Sequence, residues 1–116
     1  MAPGRGSRPG RGLRTAVLAA AVCGLLLLAV APASADPSTS DWLKLRRCES
    51  GNRYELNTGN GEYGAYQFTL RTWQSLGGTG YPHRAAPAVQ DAKALALWRQ
   101  RGWQPWTNCA RKCGLH

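Results

Sequence analysis

An apolar run from Ala16 to Val30, preceded by Arg5, Arg8, Arg11 and Arg14 and followed by Pro32 and Ala33-Ser34-Ala35, withdraws nearly a third of this 116-residue chain from any fold. A basic stretch, a short apolar stretch and a small-residue site read as a secretory signal peptide over residues 1–35, cleaved after Ala35. The run is shorter than the roughly 20 residues that a membrane span needs, and no second apolar run follows, so no stable membrane insertion is expected. The arginines are never adjacent, which points to the general secretory route rather than a twin-arginine one. Cys23 falls inside the run and is lost with it. Removing residues 1–35 from the 116 leaves 81, one small domain. A core of that size is marginal and benefits from a covalent staple.

Three cysteines follow the leader: Cys48, Cys109 and Cys113. In an oxidising compartment two should pair, leaving one over. Cys48 with Cys109 would close a loop of roughly 60 residues, worth about 4 kcal/mol by chain entropy. Cys109 with Cys113 is sterically possible but would constrain little. His83 and His116 are far apart, and no Cys/His cluster has ligand spacing, so neither metal nor cofactor is expected. Eleven of the fifteen Lys and Arg residues and all six acidic residues lie after Ala35. That basic balance suits an anionic cell-wall polymer. The basic residues are scattered rather than clustered into a nucleic-acid footprint, so no nucleic-acid partner is expected.

The pattern predicts about three helices and a short irregular β-hairpin. Residues 36–41 are a polar lead-in in which Ser40 or Asp41 can cap a helix reaching Cys48 or Glu49, stopped by Gly51-Asn52. Asn57-Thr58-Gly59-Asn60-Gly61 is a dense turn signal between Tyr54-Glu55-Leu56 and Tyr63-Gly64-Ala65-Tyr66. Thr69 can cap a second helix carrying Leu70, Trp73 and Leu76 and stopped by Gly77-Gly78. Pro87 suits the first turn of a third, which carries Val89, Ala92, Leu95, Ala96 and Arg99 and ends at Gly102. Residues 42–109 make the domain, and 110–116 read as a frayed basic tail. Helical spacing assigns Trp42, Trp73 and Trp98 to the core.

Glu49 is the residue with the clearest chemical potential. It falls four positions after Leu45 and seven after Trp42, on one helix face with both. A carboxylate held among apolar groups is desolvated, which raises its pKa and keeps it protonated for general-acid work. Aromatic faces and amides grip sugars, and Asn57, Thr58, Asn60, Tyr63, Gln67 and Thr72 are the candidate binding residues around the turn. Glycoside cleavage usually employs two carboxylates. Glu55, Glu62 and Asp91 are candidates for a second, but Glu62 reads as a solvated hairpin position and Asp91 as an exposed helix residue. A one-acid mechanism is therefore expected.

Cys48-Glu49-Ser50-Gly51, Asn57-Thr58-Gly59-Asn60-Gly61, Tyr63-Gly64, Gln67-Phe68, Thr72-Trp73, Gly77-Gly78, Tyr81-Pro82 and Gly102-Trp103 occur in one order over nearly the whole of residues 42–109. In that order they resemble the resuscitation-promoting factor domain, a transglycosylase-like, lysozyme-related family secreted by actinobacteria. The resemblance implies a small lysozyme-like α+β domain with one disulfide, Cys48 to Cys109. It further implies Glu49 as catalytic acid and Gln67 and Thr72 as groove residues. Gln104-Pro105 departs from the Gly-Ala that many members carry, and Cys113 has no counterpart in the pattern. The implied activity is cleavage of the β-1,4 bond between N-acetylmuramic acid and N-acetylglucosamine in peptidoglycan, by a secreted, wall-associated monomer that promotes growth from dormancy. The alternative is a non-catalytic module that binds wall glycan or signals through the same groove.

Overall fold

The computed structural model describes residues 35–116, so the expected signal peptide falls almost wholly outside the described residues. The first helix, α1 (Thr39–Ser50), starts earlier than Ser40 or Asp41 because Ser38 completes a capping box. Ser38 Oγ accepts from the Asp41 N–H at 3.1 Å, and Asp41 Oδ2 accepts from the Ser38 N–H at 3.3 Å. Two otherwise orphaned donors are thereby satisfied. Gly51, at φ 68°, ends the helix in the left-handed region that favours glycine.

The predicted hairpin is shifted. Strands β1 (Glu62–Tyr63) and β2 (Phe68–Thr69) pair antiparallel, with Glu62 opposite Thr69 and Tyr63 opposite Phe68. Pairing across the Asn57–Gly61 loop reduces to one bridge, Asn57 to Tyr63, and a Gly64 N–H to Leu56 carbonyl bond of 2.9 Å. The tight turn lies at residues 64–67, where Gly64 and Gln67 both take positive φ. The Asn-Gly signal is spent closing the preceding loop.

Helix α2 (Leu70–Ser75) is capped by Thr69, whose Oγ1 accepts from the Thr72 N–H at 3.2 Å. A 3₁₀ turn (Pro82–Arg84) leads to α3 (Pro87–Arg101), which opens on proline and ends at Gly102 as its sequence predicts. Its buried face is Gln90, Ala94 and Leu97, while Val89 is exposed. A glutamine is tolerated inside because its amide is fully used. Gln90 Oε1 accepts from the Ala65 N–H, and its Nε2 donates to the carbonyls of Tyr54 and Ala85, each at 3.0 Å. One side chain thus ties α3 to both ends of the hairpin region. A Cβ on Gly64 would collide with that amide, and Gly64 also needs φ 78°. Gly64→Ala should therefore cost about 1–3 kcal/mol from backbone strain alone, read as a lower denaturant midpoint; an unchanged midpoint would refute the packing described.

A second 3₁₀ turn (Gln104–Trp106) runs into a fourth helix, α4 (Thr107–Lys112). The frayed tail expected from residue 110 is thus in part helical. Ala110 is buried and Leu115 packs against the core, and the disulfide between Cys48 and Cys109 anchors the helix to α1. The core centres on Leu45, Tyr66, Phe68, Trp73, Leu97 and Trp106. Trp73 is buried as expected, whereas Trp42 and Trp98 lie half-buried at its edge. Trp106 takes the interior place, donating from Nε1 to the Tyr66 carbonyl at 3.0 Å. The described residues form an α+β domain of four α-helices and a two-stranded sheet, and no described helix is long and apolar enough to cross a membrane.

Candidate active site

Glu49 occupies the last turn of α1, between Cys48, bonded to Cys109, and Ser50, which is buried. Ser50 Oγ donates to the Ala65 carbonyl at 2.8 Å and accepts from the Arg53 N–H at 3.1 Å. The end of α1 is therefore held on one side by a covalent bond and on the other by the hairpin turn. The backbone that carries Glu49 is thereby fixed at the edge of the hairpin.

Glu49 and Glu62 open onto a cavity of about 270 Å³ whose far wall is the segment from Gln104 to Asn108. A second cavity, of about 210 Å³, is lined by Gln67, Phe68, Thr69, Thr72 and Leu97. Glu62, Pro105 and Trp106 line both, so the two form one cleft running from the end of α1 across the hairpin to α2. Burial pushes the Glu49 carboxyl up to about 7, and the negative charge of Glu62 adds to the rise. Desolvation and a like charge both disfavour ionisation. At neutral pH a substantial share of Glu49 is a protonated carboxylic acid facing a cleft.

Of the candidate binding residues, Gln67 and Thr72 line the cleft. Gln67 sits at φ 53°, an uncommon conformation for a residue with a side chain, and its Nε2 donates to the Gly64 carbonyl at 3.0 Å. Asn57, Thr58, Asn60 and Tyr63 are not among the lining residues. Asn57 Oδ1 accepts from the Gly59 N–H at 3.1 Å and Asn60 Oδ1 from the Glu62 N–H at 2.9 Å, so both shape the loop. Thr58 is exposed on that loop. Tyr63 stacks on His83 and packs edge-on against Tyr81.

Sequence reasoning named Glu62 as a candidate second carboxylate in a solvated hairpin position, and it is both exposed and on the cleft. What sequence reasoning missed is the wall from Gln104 to Asn108. The wall had a signal: pairing Cys48 with Cys109 obliges the neighbours of Cys109 to stand beside the neighbours of Cys48.

A cleft headed by a half-buried carboxyl, on a small, disulfide-tied α+β domain, belongs to a recognisable class. The chain is a member of the transglycosylase-like domain family, whose model matches residues 36–109. It is similar to the resuscitation-promoting factor Rpf of Micrococcus luteus, at 47% identity over 85 residues, covering 73% of this chain and 38% of that protein. It is also similar to RpfC of Mycobacterium tuberculosis, at 37% identity over 103 residues, covering 89% of this chain and 73% of the relative. Rpf1 of Corynebacterium glutamicum matches at 37% identity over 90 residues, covering 75% of this chain and 47% of the relative. The chain thus spans well under half the length of the Micrococcus protein.

Proposed function

We propose that this protein cleaves the glycan strands of peptidoglycan, breaking the β-1,4 bond from N-acetylmuramic acid to N-acetylglucosamine, and so remodels the cell wall during growth from dormancy. The observation that carries the reading is the raised pKa of Glu49 at the head of a cleft. A carboxylic acid still protonated near neutral pH can donate its proton to the departing glycosidic oxygen as an oxocarbenium-like centre develops on the other sugar. Gln67 and Thr72 supply an amide and a hydroxyl for sugar hydroxyls, while Trp106 and Phe68 give the cleft an apolar floor. Secretion through a leader ending at Ala35 would deliver the domain to the wall, and its basic balance favours retention on an anionic polymer.

Mass spectrometry of the fragments that wild type and Glu49→Gln release from purified wall tests this. Release by wild type and its loss in the variant are expected. Equal release by both would sink the assignment. If the variant still bound glycan and still stimulated dormant cells, the non-catalytic module would be the correct reading.

A further inference from the structure

Every acidic side chain of this protein lies between Asp36 and Asp91, and there are only six. Asp36 is paired with Arg99 at 2.7 Å, and Asp41 closes the capping box of α1. Asp91 accepts from the hydroxyls of Tyr54 and Tyr66 and faces Arg46 at 3.9 Å. Glu55 is exposed and lines neither part of the cleft. Two carboxylates remain for the cleft, Glu49 and Glu62, and among the described residues they are its only titratable lining side chains.

Glu62 is well placed and unemployed. Its backbone is fixed twice, by the pairing of β1 with Thr69 and by the Asn60 side chain on its N–H. Successive strand residues point to opposite faces. Tyr63 turns to Tyr81 and His83, and Glu62 turns to the cleft, at the junction of its two halves. Among the described residues no hydrogen bond or ion pair engages its carboxylate. It is exposed where Glu49 is half-buried, so the two carboxylates meet the solvent differently. That asymmetry divides the labour of an acid and a base.

We propose that Glu62 is the second carboxylate of this cleft and takes the proton from the water that attacks the anomeric carbon after Glu49 has protonated the leaving oxygen. The proposal rests on the glycan-cleaving reading and deepens it. The bond from the anomeric carbon to the glycosidic oxygen breaks, and one from that carbon to the water oxygen forms. Glu49 gives up a proton, Glu62 gains one, and exchange with solvent restores both, so the net consumption is one water. The new end is a reducing sugar. Without a base for water, the substrate's own 6-hydroxyl is the competing nucleophile and leaves a 1,6-anhydro ring.

Glu62→Gln keeps the shape of an exposed side chain and removes the charge. Purified wall digested by wild type, Glu62→Gln and Glu49→Gln, with fragment ends identified by mass spectrometry across pH 5–9, gives the test. Wild type should release reducing ends. Glu62→Gln should lose them by a factor on the order of 10² or more, the usual effect of a general base, with anhydro ends making up a larger share. Its remaining activity should decline at lower pH than that of wild type, because Glu49 loses the neighbouring charge that helps it hold its proton. A Glu62→Gln enzyme giving parental amounts of reducing ends with an unmoved pH profile would overturn the proposal while leaving Glu49 and glycan cleavage intact. Wild type releasing only anhydro ends would also overturn it. Wild type releasing nothing would instead defeat the cleavage reading, and the proposal with it.

Discussion

Glu49→Gln should lower the rate of glycan cleavage by about 10²–10⁴-fold, the range for a positioned general acid, while making the protein more stable above neutral pH. Both effects have one origin. Glu49 titrates near 7 in the folded protein against an ordinary value of 4.5, so the folded state holds this proton more tightly than the unfolded chain does. Below pH 4.5 both states are protonated and the carboxyl is in its favoured form. As pH rises from 4.5 through 7, stability falls, because the fold must accept a negative charge in a half-buried place beside Glu62. Glutamine carries no charge and escapes that penalty. The melting temperature of the variant should exceed that of wild type at pH 8 and match it at pH 4. An equal difference at both pH values would show that the carboxyl is not held protonated by the fold. Wild-type activity should likewise fall above pH 7 as the proton is lost.

Replacing Cys48 and Cys109 together with serine should cost about 4 kcal/mol, since the bond spans a sequence separation of 61 residues. Against a total of about 5–15 kcal/mol for a typical domain, that is enough to leave the protein near its unfolding threshold at growth temperature. The loss should show as a lowered denaturant midpoint. Activity should fall further than the unfolded fraction explains, because the bond also fixes the Gln104–Asn108 wall against Glu49. Cys113→Ser is the control: its Sγ reaches only the Lys44 carbonyl, at 3.5 Å, and the midpoint should not move. A double variant as stable as its parent would show that packing of α4 on α1 suffices.

The elements with local signals were legible from the chain. Pro87 and Gly102 bound α3, Thr69 caps α2, and Gly51 stops α1. Features that depend on distant partners were not. Gln90 looks like a surface residue until the backbone groups of Tyr54, Ala65 and Ala85 converge on it. Residues 107–112 lack a strong helical pattern, and their order comes from the disulfide and the burial of Ala110. Glu62 is solvated as its hairpin position suggested, but a two-residue strand carries too little periodicity to say that it also faces the cleft. Trp106 entered the core in place of Trp98 because α3 turns Leu97 inward.

The cleft also has a direction in time. Glu49 sits on the first described helix, and the far wall runs into the last, since Thr107 and Asn108 belong to α4. A chain emerging from its amino end therefore carries Glu49 long before residues 104–108 follow. Because burial is the main cause of the raised Glu49 pKa, and residues 104–108 line the same cavity, a chain cut short of residue 104 should hold that proton less tightly.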